Sequence, residues 1–349
     1  MLTQNTYRGT GLPDLAPGDR FDTDAVARLL DLCPAHAATP LIDAPELARV
    51  MGVARLTLKD ERPRMGLGSF KALGAAYVIA RHAAAARRDT GADWSRTLNG
   101  HGYVAASAGN HGLSLAAGAA VFGARAVIYL ADTVPEAFAQ RLRDKGAEVV
   151  REGATYEDSM AAASKAAETS DLTLLSDGSW PGYTDLPFHV MEGYTQMAHE
   201  IGAAHDDVPS HIYLQAGVGG LAAALAEGLR TVWGDGPRMI VVEPDAAPAL
   251  HNSIRAGRLV ETAGPVSNMG RLDCKTPSML ALAALARDAD AFALISDAQA
   301  EAAVQALARH DIATTPSGAA GVAAALAGLG DLAADARLLC IISEGPEGT

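Results

Sequence analysis

The sequence predicts an α/β fold built on parallel sheets, and three observations lead to this prediction. Short apolar runs typical of buried strands alternate with longer amphipathic patterns typical of helices over most of the chain. Glycine-rich turns lie where several of these runs pass into a helix. Hydrophobic residues make up 49% of the chain, which is enough for a sizeable core, and the length of 349 residues suggests two domains or one large one.

Composition and charge limit the partners of the protein. The formal net charge of −13 argues against nucleic acid or an anionic membrane. The N-terminus lacks a signal-peptide pattern, and the longest apolar stretch, 113–130, is broken by glycines and an arginine, so no membrane span is expected. Cys33, Cys274 and Cys340 have no paired spacing and the histidines form no metal motif, so we expect neither disulfides nor a zinc or catalytic metal site, while a structural cation stays open. A cytoplasmic location is predicted.

The elements begin with a weakly structured segment and then alternate. Residues 1–38 are polar with one helical pattern at 24–32, which predicts a lead-in arm. A helix at 47–51 ends at Gly52, and a strand at 54–61 precedes a helix at 72–88. Further strands are predicted at 103–106, 126–130, 147–150, 172–176, 212–215, 239–243 and 338–343, with helices at 113–122, 136–145, 156–169, 183–201 and after 220.

The turn that contains Lys71 is the first candidate for chemistry. It lies between a strand and a helix, where the helix macrodipole disfavours a cation. A lysine in a Schiff base is neutralised or shares its proton with a cofactor, so the position suits covalent catalysis. For this lysine alone, a solvated side chain in a glycine-rich turn remains the better interpretation.

Two other turns at strand ends suit anions. In the turn 216–220, glycines directly before a helix favour a phosphate, although a turn that binds nothing is an equal alternative. The turn 107–112 offers the side chains of Ser107 and Asn110 and open amides, which fit a carboxylate. Ordinary turn and cap chemistry is the alternative for Asn110 and His111. Three such turns, each at a strand end, are improbable as coincidences.

Together the three turns resemble a known family. Ser69-Phe70-Lys71, SAGNHG at 107–112 and GVGGL at 217–221 resemble, in order and spacing, the pyridoxal-phosphate enzymes of fold type II, such as threonine dehydratase and tryptophan synthase β. The resemblance covers nearly the whole chain. It implies two parallel-type α/β domains with pyridoxal 5′-phosphate between them, a large domain of residues 1–75 plus 190–349, an inserted smaller domain of residues 76–189, and a homodimer.

The resemblance also implies roles for individual residues. Lys71 is expected to bind the cofactor as a Schiff base, Asn110 to bond its ring hydroxyl, and Ser343 to face its pyridine nitrogen. Its phosphate is expected on a loop of Gly217, Val218, Gly219, Gly220 and Leu221, and a further cofactor contact is expected from Phe70. The residues expected to bind the small amino-acid substrate are Ser107, Ala108, Gly109 and His111.

A closer resemblance, to the diaminopropionate ammonia-lyases, rests on DGSWPGYT at 177–184 and on the ending SEG at 343–345. It implies that Asp177 is a catalytic acid, whereas a turn cap before Gly178 is the alternative. A carboxyl group beside the cofactor can take the α-proton and assist the departure of a β-amino group. We therefore expect α,β-elimination from a β-substituted L-amino acid, first of all 2,3-diaminopropionate, to pyruvate and ammonia. Asp177 would be the base and Lys71 a second proton carrier.

Two departures from that branch bear on the substrate. Ala108 stands where the branch has an acid associated with the D-isomer, and Ser69 gives the dehydratase form of the lysine motif. Both favour an L-specific enzyme and leave a serine/threonine or 3-hydroxyaspartate dehydratase open. A β-replacement synthase would need a second, nucleophilic substrate. A non-catalytic, regulatory pyridoxal-phosphate-binding protein and a nucleotide-binding protein without the cofactor are lower-ranked alternatives.

Overall fold

The computed structural model describes residues 1–16, 18–205 and 207–346, and strands and helices alternate over most of this length. The strands are β1 (Leu2–Gln4), β2 (Leu41–Asp43), β3 (Arg55–Asp60), β4 (Gly102–Ala106), β5 (Arg125–Leu130), β6 (Glu148–Arg151), β7 (Leu172–Leu174), β8 (His211–Gln215), β9 (Arg238–Pro244), β10 (Ala291–Ile295) and β11 (Arg337–Ile342). The helices are α1 (Thr23–Leu30), α2 (Pro45–Met51), α3 (Ala75–Thr90), α4 (Asn110–Phe122), α5 (Glu136–Asp144), α6 (Tyr156–Thr169), α7 (Asp185–Ala204), α8 (Gly220–Trp233), α9 (Ala249–Ala256), α10 (Met279–Asp288), α11 (Asp297–Ala308) and α12 (Pro316–Leu326). Short 3-10 helices are formed by Arg64–Gly66, Phe70–Leu73 and Trp94–Arg96.

The strands form two sheets. The order of the seven-stranded sheet is β1-β10-β9-β8-β11-β3-β2, and that of the four-stranded sheet is β6-β5-β4-β7. Neighbouring strands are parallel except at the two edges of the larger sheet, where β1 and β2 pair antiparallel with β10 and β3. The α/β fold with parallel sheets is thus confirmed, and the C-terminal ends of β3, β8 and β11 open at one edge. Within the described ranges, no helix is long and apolar enough to cross a membrane.

The N-terminal residues are not the lead-in arm that the sequence predicts. Leu2–Gln4 forms an edge strand whose Thr3 lies opposite Phe292 of β10. The buried Asn5 side chain then donates hydrogen bonds to the carbonyls of Ala286 and Ala289, at 2.9 and 2.7 Å. A strand of three residues is too short to show an alternation of apolar and polar residues. The prediction of an arm therefore rests on the polar composition of this segment.

The helix predicted over 72–88 begins later than expected. Phe70–Leu73 is a separate 3-10 helix, and α3 starts only after Gly74. A Cβ atom at Gly74 would lie 2.7 Å from the Tyr194 hydroxyl, so only glycine permits the close approach of this turn to α7. Lys71 therefore lies on a tight turn before the helix.

A buried cluster of four charges fixes the segment between β3 and Lys71. We call Lys59, Glu61, Arg64 and Glu200 the Arg64 cluster. Arg64 is fully buried and donates hydrogen bonds to Glu61 Oε2 at 2.8 Å and to Glu200 Oε1 at 2.7 Å, while Lys59 donates to Glu200 Oε2 at 2.6 Å. Burial opposes ionisation of Glu200, but the Arg64 hydrogen bonds outweigh it and lower the pKa of Glu200 to about 2. Two cations and two carboxylates thus join β3 to α7.

Candidate active site

Lys71 and Asp177 meet in a partly buried site. The Nζ atom of Lys71 donates a hydrogen bond to Oδ2 of Asp177, and the two side chains are 22% and 24% exposed. The same Nζ lies 5.4 Å from the ring centroid of Phe70 and 5.8 Å from that of Tyr194. Two aromatic rings therefore flank the amine and limit its contact with water.

The two charges of this pair depend on each other. Burial alone would lower the pKa of Lys71, but the Asp177 carboxylate outweighs burial and raises that pKa above its ordinary value. Burial would likewise raise the pKa of Asp177, and the Lys71 ammonium outweighs it and holds that pKa below its ordinary value. Any reaction that neutralises the Lys71 amine therefore makes Asp177 a better proton acceptor.

The segment before Asp177 is fixed by two side chains. The Tyr183 hydroxyl donates to the carbonyl of Leu174 at 2.9 Å and accepts from the amide of Ser176 at 3.0 Å. His111 Nε2 lies 2.7 Å from the carbonyl of Leu175, which can only accept, so Nε2 carries the ring proton. Burial lowers the pKa of His111, so this ring is a neutral donor. Hydrogen bonds to Tyr183 and His111 thus fix the backbone directly before Asp177.

The predicted phosphate loop has the features of an anion site. It connects β8 to the N-terminus of the 14-residue helix α8. The amides of Gly219, Gly220 and Leu221 donate to no other residue of the described ranges. A Cβ atom at Gly217 would lie 2.9 Å from the Arg271 carbonyl and 3.0 Å from Cys274 Sγ. The backbone of the loop therefore packs closely against the segment that contains Arg271 and Cys274. Open amides at a helix N-terminus suit a phosphate.

The turn after β4 presents a second group of open amides. The Ser107 hydroxyl accepts hydrogen bonds from the amides of Gly109 and Gly112, at 3.3 and 3.2 Å, and so holds the turn. The helix begins at Asn110 and not at 113 as predicted, because the turn is shorter. In the described part of the chain, the amides of Asn110 and His111 bond no other residue, which leaves them suited to a carboxylate.

The residues after β11 connect the lysine turn to the second turn. The carbonyl of Ser343 accepts from the amide of Phe70 at 3.1 Å, and the Ser343 side chain is buried. The carboxylate of Glu344 accepts from the Asn110 side chain and from the Thr315 hydroxyl, both at 2.5 Å. The lysine turn, Asn110 and the end of β11 therefore form one connected unit.

Several residues of the site were missed by the sequence analysis. Glu344 had a signal, because it directly follows Ser343 at the end of a strand. Tyr194 on α7, and Arg271 and Cys274 in the segment before α10, belong to no motif and reach the site only through the fold. Burial raises the pKa of Tyr194 and of Cys274 to about 12, so both are neutral. The described residues include no group of three or more His, Cys, Asp or Glu arranged to hold a metal ion.

Comparison with known proteins identifies relatives of this arrangement. The chain is 32% identical over 235 residues to the diaminopropionate ammonia-lyase of Salmonella typhimurium, a match that covers 63% of this chain and only 58% of that protein. It is 28% identical over 278 residues to the human L-serine dehydratase/L-threonine deaminase, covering 78% and 76% of the two chains. The solved structure of Escherichia coli diaminopropionate ammonia lyase, in complex with an aminoacrylate-PLP azomethine reaction intermediate, is similar with a TM-score of 0.85 and 28% identity. That structural match covers 99% of this chain and 93% of the other.

The family assignment rests on a match that extends over most of the chain. The family model described as pyridoxal-phosphate dependent enzyme matches residues 32–344. This match confirms the resemblance predicted from the three turns, and with it the cofactor, pyridoxal 5′-phosphate. We conclude that the chain belongs to the pyridoxal-phosphate dependent enzyme family.

Proposed function

We propose that this protein is an ammonia-lyase that removes the β-amino group of L-2,3-diaminopropionate and yields pyruvate and ammonia. The observation that carries the proposal is the hydrogen-bonded pair of Lys71 and Asp177, at the predicted covalent site and the predicted acid. The similarity to diaminopropionate ammonia-lyases in sequence and in fold supports the same activity.

The residues of the site fit pyridoxal 5′-phosphate. The open amides of the loop 217–221 suit its phosphate, and the Lys71 amine is the group that would bind it covalently. We assign Asn110 to its ring hydroxyl, because one side-chain N–H remains after the bond to Glu344. We assign Ser343 to its pyridine nitrogen. When bound, the cofactor supplies an electron sink for charge that develops at the α-carbon.

Lys71 and Asp177 would share the handling of protons. A proton accepted at Oδ2 of Asp177 can pass to Nζ of Lys71 across the single hydrogen bond that joins them. Asp177 becomes the better acceptor when the Lys71 amine is neutral, because the cation that lowers its pKa is then absent. The same carboxyl group can return a proton to the departing β-amino group. The pair would thus take the α-proton and assist the leaving group.

The substrate carboxylate would bind at the turn 107–112. Ser107 holds this turn through its bonds to Gly109 and Gly112, which leaves the amides of Asn110 and His111 for the carboxylate oxygens. Ala108 carries no acid, so the turn offers no second base for the opposite face of the substrate. We therefore propose that the enzyme acts on the L-isomer.

Dehydration of a hydroxy amino acid is the second candidate. Ser69 gives the lysine motif its dehydratase form, and the similarity to the human L-serine dehydratase/L-threonine deaminase supports this alternative. The two functions share Lys71 and the cofactor, and they differ in the leaving group. A non-catalytic, regulatory cofactor-binding protein ranks lower, because all three turns of the site have the residues that catalysis needs.

The test is release of 2-oxo acid by cofactor-loaded protein. L-2,3-diaminopropionate, its D-isomer, L-serine, L-threonine and 3-hydroxyaspartate are compared at equal concentration. Pyruvate mainly from the L-diamine supports the ammonia-lyase. Product mainly from a hydroxy amino acid moves the protein to the dehydratases, and absence of turnover with every substrate overturns both functions.

The domain boundaries and the assembly are also proposals. We propose that residues 1–75 plus 190–349 form the large domain and residues 76–189 the smaller one, because the two sheets divide along these lines. We propose a homodimer in the cytoplasm. Sedimentation equilibrium of the cofactor-loaded protein tests the homodimer, and fractionation of the source cell tests the cytoplasmic location.

A further inference from the structure

A cleft outside the Lys71–Asp177 pair carries an arginine that the proposed reaction does not use. Asn110 and Arg141, on the helices α4 and α5, line this cleft. Arg271, Thr315 and Glu344, the last of which follows Ser343 directly after β11, also line it. The cleft therefore lies between the substrate turn and the C-terminal end of the large sheet.

The charges of the described residues that line the cleft do not balance. Glu344 accepts hydrogen bonds from Asn110 and Thr315, and its carboxylate lies 3.8 Å from Nε of Arg271, so these two charges offset each other. Arg141 is partly buried and makes no hydrogen bond or ion pair with any other residue that the structure describes. The Arg141 guanidinium thus lines the cleft with no counter-charge among the residues that the structure describes.

We propose that Arg141 is an anion subsite for a second carboxylate, so that the enzyme also accepts β-substituted amino acids that carry one, beside L-2,3-diaminopropionate. The α-carboxylate already has the open amides of the turn 107–112, which need no cation. Arg141 lies in the same cleft as Asn110 of that turn, and a guanidinium binds a carboxylate through two parallel N–H groups. This inference rests on the proposed α,β-elimination and extends its substrate class to amino acids with a second carboxylate, such as 3-hydroxyaspartate.

The first experiment compares two substrates in three proteins. Arg141→Gln is expected to lower the ratio of kcat/KM for 3-hydroxyaspartate to kcat/KM for L-2,3-diaminopropionate by about tenfold, the effect of one charge-assisted hydrogen bond. In Arg141→Lys this ratio should lie between those of the parent and of Arg141→Gln, because lysine keeps the charge and loses the bidentate geometry. Arg143→Gln is the matched control, since Arg143 lies on the same helix and bonds Glu136. An equal ratio in parent and Arg141→Gln overturns the inference.

The second experiment does not depend on turnover. Succinate has two carboxylates and no amino group, and its Kd for the cofactor-loaded protein is measured by titration calorimetry. Arg141→Gln should weaken succinate binding about tenfold, and Arg143→Gln should not weaken it. A succinate Kd that does not differ between Arg141→Gln and the parent overturns the subsite. Loss of succinate binding in Arg141→Gln, with no elimination from any amino acid, supports the subsite and overturns the proposed function.

Discussion

Lys71 and Asp177 are 106 residues apart in the chain, and one hydrogen bond joins them across the site. Lys71 lies on the turn that follows β3, whereas Asp177 follows β7 of the other sheet. The contact therefore exists only when the two sheets are assembled. It also gives each group a pKa that depends on the charge of the other, which leads to the first two predictions.

Asp177→Asn is expected to lower the rate of elimination by at least about tenfold, because the amide cannot accept the α-proton. The measurement is pyruvate release from L-2,3-diaminopropionate under single-turnover conditions. Asp185→Asn is the control, since this carboxylate lies eight residues later on α7 and its side chain is 86% exposed. Turnover of Asp177→Asn at the parent rate would rule out Asp177 as the base.

The same pair predicts a pH dependence of stability in the cofactor-free protein. Lys71 holds the folded-state pKa of Asp177 below its ordinary value, so its contribution to stability is present above that value and is lost as the pH falls below about 4. The difference in unfolding free energy between parent and Asp177→Asn should shrink over this acid range. Urea unfolding of both proteins between neutral and acid pH measures it. A constant difference would contradict the ion pair.

Lys71→Ala should abolish the visible absorption band of the covalently held cofactor, because alanine has no amine to form the Schiff base. Lys165→Ala is the control, since Lys165 is exposed on α6. Absorption spectra are recorded after dialysis of each loaded protein. A band of parent intensity in Lys71→Ala would remove Lys71 from the covalent site.

Gly217→Ala should weaken cofactor binding, because the added Cβ would lie 2.9 Å from the Arg271 carbonyl and would displace the loop 217–221. Gly270→Ala is a matched control in a neighbouring segment, where an added Cβ meets no atom within 4 Å. The Kd of pyridoxal 5′-phosphate is measured by fluorescence titration of each cofactor-free protein. Equal affinity in the two variants would mean that the loop does not hold the phosphate.

Glu200→Gln is expected to lower the unfolding free energy by roughly 3–5 kcal/mol, because it leaves the buried Lys59 ammonium without a counter-charge and Arg64 with Glu61 as its only carboxylate partner in the cluster. Removal of an exposed ion pair should lower the unfolding free energy by at most about 1 kcal/mol. Glu46→Gln provides that comparison, since Glu46 and Arg49 pair with side chains 65% and 74% exposed. Urea unfolding of the two variants should separate them clearly. Equal losses would contradict a structural role of the cluster.

The sequence predicted the strands that end at the site, because each is a buried apolar run followed by a recognisable turn. It missed β1 and β2, since edge strands of three residues show no periodicity, and it also missed the five-residue strand β10. It also began the helix at residue 72, directly after Lys71, whereas α3 begins after Gly74, because the break at Gly74 depends on Tyr194, which is distant in the chain. Local pattern cannot reveal a constraint that comes from tertiary contact.

The candidate site was predictable where its residues belong to turns at strand ends. The turns of Lys71 and Asn110 and the loop 217–221 share this property, and Asp177 was found through a motif. Arg271 and Cys274 were not, because the segment 258–278 has no helix or strand pattern that would orient them. Arg141 has the sequence context of an ordinary helix surface, and only the fold turns it toward the cleft.

The Arg64 cluster has a consequence for hybrid genes made from this chain and its relatives. Its cations are encoded by residues 59 and 64, and the carboxylate that binds both of them by residue 200. Any crossover between these positions joins cations of one parent to a carboxylate of the other. Such a hybrid keeps the stabilisation that the cluster provides only if the second parent has the same charges at both places, so the two segments have to come from the same or equally charged parents.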